Sequence, residues 1–270
     1  MEYRKLGNLD VSAIGLGTLR TFDVTDNDEI AVRRQIVDNC LGNDVNLIDT
    51  AAWYGQAEAV VGEITENRRD QFYIATKVRT EGKEAGEAQI AQSFEYLKTD
   101  YIDLFQVHNM TDWQTQLPTL QQLKDEGKVG MVGVSAMVRD AYPTIMDLMR
   151  QGRVDAVQIP YNVLNRGVED ELLPLAEELG TGVLVMEPLQ KGRYVLELKQ
   201  QPDLTPLRDY GINTWAQALL AWVISDPRVT SAIPTTSRPE RIQENAQAAE
   251  GARLPQSFRD YIQKEAERCL

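Results

Sequence analysis

The chain has 270 residues, 43% of them hydrophobic, which is enough to bury one large core and fits a single domain over residues 1–270. Its formal charge of −13 at pH 7 argues against nucleic acid or an anionic membrane surface as partner, because both require a basic footprint. No apolar run is long enough to cross a bilayer. The N-terminus has no apolar stretch behind its first charges, and two cysteines, Cys40 and Cys269, lack metal-ligand spacing; both features point to a reducing cytoplasm.

The first predicted element is a hairpin, residues 3–6 and 11–13 around Gly7-Asn8-Leu9-Asp10, able to plug one end of a barrel. Beyond it, short β-branched or apolar runs alternate with helix-period segments. Strand 14–18 precedes helix 28–41, 45–49 precedes 58–65, 72–76 precedes 89–97, and 102–107 precedes 113–126. The series continues with 129–135 and 141–151, 156–160 and 169–179, 182–186 and 214–225, and 229–234 and 239–248. Trp215 and Trp222 fall at helical spacing in an apolar stretch and read as core. The longest connection, 187–213, follows the seventh strand, and such connections often serve as lids or binding loops. A last amphipathic segment, 256–268, follows Leu254-Pro255 and adds a helix outside the repeat.

Eight strand–helix pairs predict an α/β protein of the closed parallel (β/α)8, or TIM-barrel, type. The rival is an open doubly wound sheet, which normally carries G-x-G-x-x-G after its first strand. Gly15-Leu16-Gly17-Thr18-Leu19-Arg20 breaks that pattern.

In such a barrel the carboxyl ends of the strands carry the chemistry. Asp49 ends the second strand and Lys77 follows the third. His108, the one histidine of the chain, follows the fourth, and Tyr54 lies on the loop after Asp49. An ordinary ion pair accounts for Asp49 and Lys77, and a loop aromatic packed on a helix accounts for Tyr54. Neither accounts for an acid, a base, a phenol and the sole imidazole sharing one face.

The run Asp49-Thr50-Ala51-Ala52-Trp53-Tyr54-Gly55 resembles the signature of the aldo-keto reductase family, and Asp49, Tyr54, Lys77 and His108 match its catalytic tetrad in order and spacing. The resemblance runs from Leu6-Gly7 to Glu244-Asn245. It implies hydride transfer from NADPH to the carbonyl of a small aldehyde or ketone. Tyr54 would donate the proton, Lys77 would lower the phenol's pKa, Asp49 would anchor Lys77, and a neutral His108 would bond the carbonyl oxygen.

The cofactor segment follows the last strand. Ser237, Arg238 and Arg241 stand at a helix start, where free backbone N–H groups favour phosphate. The plain alternative is a solvated helix with Arg241 paired to Glu240 or Glu244. The resemblance gives Arg241, Glu244 and Asn245 to the adenosine 2′-phosphate and the adenine, so NADPH is expected over NADH. Thr235 stands where the family often has lysine, and Arg238 is a substitute. The resemblance also gives Ser135 and Gln158 to the carboxamide, with Ala136 in place of an asparagine. Met186, Pro188 and Leu189 lie where other members stack a ring on the nicotinamide, and Gly17 and Thr18 complete the cofactor set. Leu189, Lys191 and Gly192 read equally as pyrophosphate contacts or as a plain lid.

Arg20, Trp53, Asn109 and Trp113, with Phe22 and Met110 near them, are placed to shape a substrate pocket. A monomer acting on a small carbonyl compound is the family expectation. The alternative from another class is an NADPH-binding, redox-sensing regulatory subunit with little turnover. One histidine rules out a multi-histidine metal site, so no metal is expected.

Overall fold

A computed structural model describes every residue except Ala252. It opens with the antiparallel hairpin β1 (Tyr3–Leu6) and β2 (Leu9–Ser12). Leu6 pairs with Leu9, so the turn is the two residues Gly7-Asn8 rather than four. Gly7 sits at φ 57°, a left-handed conformation that glycine adopts without a Cβ penalty.

Eight parallel strands follow. They are β3 (Leu16–Gly17), β4 (Leu47–Asp49), β5 (Tyr73–Val78), β6 (Ile102–Val107), β7 (Val129–Ser135), β8 (Ala156–Pro160), β9 (Gly182–Met186) and β10 (Ser231–Ala232). Each pairs with the next, and the ring closes by parallel bridges Ile14–Ala232 and Gly17–Thr235. At that seam Gly15 N donates to Ala232 O (2.8 Å) and Gly17 N to Pro234 O (3.0 Å). A Cβ on Gly17 would lie 2.8 Å from Thr235 Cγ2, so the close approach of the two chains requires glycine there. The chain is a (β/α)8 barrel.

The covering helices are α1 (Asn27–Gly42), α2 (Ala57–Thr65), α3 (Lys83–Tyr96), α4 (Trp113–Asp125), α5 (Tyr142–Arg150), α6 (Leu172–Leu179), α7 (Arg193–Leu196), α8 (Trp215–Ile224), α9 (Glu240–Gln247) and α10 (Gln256–Cys269). Strands β6 to β9 have the bounds expected from sequence, whereas β3 and β10 are far shorter, because the seam residues pair only intermittently. Helix α3 starts at Lys83 rather than 89, since Gly82 (φ 84°) turns the chain into a first turn too polar to show apolar periodicity. Helix α6 starts at Leu172 rather than 169, with Glu169 held outside it by Arg166 and Tyr161. The connection after β9 is structured: it contains α7 and binds α10 through Lys199 N to Cys269 O and Tyr261 Oη to Asp203 O (both 2.8 Å).

Period-two alternation sorts the barrel interior into layers. Leu47, Ala75, Leu104, Met131, Ala156, Leu184 and Ile233 point inward and pack with Leu6 and Val11 of the hairpin, which closes the amino end. Gly182 leaves the space that Leu6 fills, since a Cβ there would meet the leucine at 2.1 Å. Two residues further along the strands come Asp49, Lys77, Gln106 and Gln158, all buried. The interior is therefore apolar at one end and polar at the other.

Candidate active site

The polar end is organised by Lys77, which is 1% exposed. Strand β5 extends past the expected bound, so Lys77 is a strand residue whose ammonium points inward. Its Nζ donates to both oxygens of Asp49 (2.7 Å each) and to Thr50 O (2.8 Å). Gln158 Nε2 adds a bond to Asp49 Oδ2 at 3.2 Å. The pair is thus fixed by two adjacent strands and backed by a third residue from across the barrel.

Tyr54 is set by the loop after β4, where its N–H donates to Ala51 O (2.9 Å). Gly55 (φ 62°) then lets the chain pass tightly over Asp23, whose carboxylate accepts from Gln56 N at 2.9 Å. Lys77 Nζ lies 5.2 Å from the centre of the Tyr54 ring, and the His108 ring meets that phenol edge-on at 5.7 Å. His108 Nδ1 is buried without a partner among the described residues. Asn109, at φ 53°, turns the chain there, and its N–H is held by Ser135 Oγ at 2.9 Å.

Burial governs the protonation of this group. It pushes the Asp49 carboxyl above the usual carboxylate range, with Lys77 pulling back. It also disfavours the Lys77 ammonium, but Asp49 and then Tyr54 more than offset this and leave Lys77 above its ordinary value. Tyr54 is raised by burial in spite of Lys77, so the net lowering expected from sequence does not occur. Burial, joined by Lys77 and Arg79, takes the His108 imidazole down to about 3. Near neutrality the site holds an ion pair, an intact phenol and an uncharged imidazole.

These groups face a cavity of about 380 Å³. Asp49, Tyr54, His108, Gly17, Thr18, Gln158, Met186, Pro188, Leu189, Trp53 and Asn109 line it, as do Arg79, Met137, Glu187 and Lys191. A second cavity of the same size shares Leu189, Lys191, Gly192 and Thr235 with it and runs out to Ser237, Arg238, Arg241 and Asn245. Together they form one cleft from the barrel mouth to the start of α9.

Five of the residues proposed from sequence lie off this lining. Lys77 is behind Asp49, to which its ammonium donates. Ser135 sits behind Asn109 as its support. Glu244 pairs with Arg241 and keeps a buried Oε1 without a partner among the described residues. Arg20 is exposed at φ 63°, and Trp113 lies at the head of α4, with the Arg153 guanidinium 5.8 Å from its ring. Arg79 and Glu187 were not anticipated. The available signal for Arg79 was its position two residues after Lys77, which returns a side chain to the same face.

Fold and strand-end chemistry place the chain among the barrel oxidoreductases. It belongs to the Aldo/keto reductase family, whose model matches residues 13–267. It is 30% identical over 254 residues to methylglyoxal reductase YeaE of Escherichia coli, a match spanning 90% of this chain and 87% of the relative. It is 26% identical over 265 residues to the NADH-specific methylglyoxal reductase of the same organism, spanning 76% and 78%. A solved aldo-keto reductase from Klebsiella pneumoniae in complex with NADPH matches with a TM-score of 0.84 at 28% identity, over 96% of this chain and 93% of that one.

Proposed function

We propose that this protein reduces the carbonyl of a small aldehyde or ketone with NADPH, Tyr54 donating the proton. The observation that carries the reading is one cavity lined by an un-ionised phenol, a neutral imidazole and Asp49, with Lys77 buried behind Asp49 as its ion-pair partner. NADPH, when bound, supplies the hydride that goes to the carbonyl carbon.

The remaining work falls to the chain. His108, neutral, donates an N–H to the carbonyl oxygen and orients it. As negative charge builds on that oxygen, the Tyr54 O–H gives up its proton, and the product is an alcohol. The Lys77 ammonium stabilises the phenolate left behind, and Asp49 keeps that ammonium charged and in place. Burial raises the phenol, which keeps it protonated at neutral pH, the form a donor needs.

The cleft fits a dinucleotide. Gln158 Oε1 and Asn109 Oδ1 are buried acceptors without partners among the described residues at its deep end, suited to a carboxamide N–H. Met186 and Leu189 offer apolar cover, and Lys191 stands midway. Ser237, Arg238 and Arg241 supply donors for a 2′-phosphate, and the free Oε1 of Glu244 is an acceptor near Asn245. One relative is an NADH-specific reductase and a solved neighbour was crystallised in complex with NADPH; here two arginines at the far end favour the phosphorylated form. Loss of reduced-nicotinamide absorbance with methylglyoxal and a panel of neutral aldehydes tests the reading. Reduction with NADPH supports it, and turnover preserved in Tyr54→Phe defeats the assignment of the proton donor.

A further inference from the structure

We infer that Arg79 makes this a site for carbonyl compounds that carry a carboxylate, the guanidinium binding the anion while Tyr54 and His108 hold the carbonyl. The inference rests on the carbonyl-reductase reading above and narrows its substrate class.

The first ground is a charge count in the cavity. Asp49 is matched by Lys77, and Glu187 by Lys191 at 2.8 Å. His108 is uncharged. Arg79 lines the same cavity, and among the described residues no carboxylate lies within ion-pair distance of it. The lining therefore carries one uncompensated positive charge, in a protein whose net charge is −13. Most arginines of the chain are paired, as Arg34, Arg69, Arg228 and Arg268 are. Among the described residues Arg79 shares its lack of an ion pair with a minority that includes Arg20 and Arg238, but it alone of these lines the cavity that holds Tyr54 and His108.

The second ground is placement. The Arg79 backbone N–H donates to Gln89 Oε1 at 2.6 Å, and its guanidinium lies 4.5 Å from the centre of the Trp53 ring. Trp53 is 62% exposed at the mouth, so its ring acts as a platform that orients the fork without neutralising it. Arg79, Trp53 and His108 come from the ends of β4 to β6. Asn109 apart, the residues suited to the dinucleotide come from the ends of β8 to β10, on the other side of the mouth. An anion on Arg79 would thus belong to the substrate. A planar guanidinium fork matches a carboxylate in two parallel bonds.

The matched pair 4-oxobutanoate and butanal, an aldehyde acid and its neutral counterpart of equal chain length, tests this with the NADPH-loaded protein. Wild type should favour 4-oxobutanoate in kcat/KM, and Arg79→Ala should lower that value about 10- to 100-fold, chiefly through KM, with butanal changed by less than about twofold. In parallel, calorimetric titration of 4-hydroxybutanoate into the NADP+-loaded protein should show a similar weakening in Arg79→Ala. Butanal reduced normally with no preference for the acid overturns the inference and leaves the reductase reading standing. No turnover of either aldehyde, with 4-hydroxybutanoate binding still dependent on Arg79, defeats that reading and keeps the anion site. Weakened NADP+ binding in Arg79→Ala would assign the guanidinium to the cofactor and overturn the inference.

Discussion

The two ends of the cleft hold their positive charges in opposite ways. At the deep end, Lys77 is 1% exposed and all three ammonium hydrogens have acceptors, two on Asp49 and one on Thr50. At the far end, the side chain of Arg241 is 42% exposed and its partner is Glu244, three residues away on the same helix. A charge that must stabilise a transient phenolate gains from being fixed in advance in a dry setting, where no reorganisation follows. A charge that captures an anion from water has to exchange one partner for another, so it is kept near the surface. The chain builds rigidity where chemistry is proposed and leaves exchange possible where binding is.

Four substitutions press on this contrast. Tyr54→Phe should lower kcat by about 10²- to 10⁴-fold, the range ascribed to a positioned proton donor, while NADPH affinity by fluorescence titration stays put. Asp49→Asn or Lys77→Met alone should each cost about 3–5 kcal/mol in chemical denaturation, because one buried charge is left unmatched. The double variant should regain most of that stability and none of the activity; single variants as stable as wild type would show the deep end to be less rigid than its bonds imply. Arg241→Ala should raise the KM for NADPH about tenfold with kcat and the KM for NADH little changed, as expected for losing one charge-assisted contact. Equal effects on both cofactors would remove the 2′-phosphate from that arginine.

Much of this was legible in the residues, and the exceptions share a cause. Strands β6 to β9 are buried on both faces and read as predominantly apolar runs, so their limits are those the sequence suggests. The seam strands β3 and β10 have equally apolar neighbours, but their pairing is decided by tertiary closure around Gly15 and Gly17. Asp49, Lys77 and His108 were visible as strand-end polar residues, and Tyr54 as a loop phenol beside them. Arg79 was not, since a charged residue past a strand end looks like any solvated one until its lack of a partner is seen. Lys77 does pull the Tyr54 phenol down as the sequence suggests, but the net shift is upward, because charge proximity is readable from order along the chain and depth of burial is not. Arg20 fell off the cleft for a similar local reason, its left-handed backbone turning it to solvent.

At neutral pH the smallest expected effect concerns His108, and its solitude makes it measurable. Burial, with Lys77 and Arg79 adding to it, lowers the imidazole from 6.5 to about 3 in the folded protein. As pH falls below about 6.5 the unfolded chain takes up this proton and the folded one does not, so His108 erodes stability progressively down to about pH 3. Above that window it contributes nothing that depends on pH. His108→Gln should therefore flatten part of the acid-side decline in unfolding free energy. With one histidine in the chain, the imidazole proton resonances belong to it alone. They should hold their positions from about pH 8 to about pH 5, the range in which an unperturbed histidine would titrate. A midpoint near 6.5 would mean that the imidazole is open to water, and the dry, preset character assigned to the deep end would not survive it.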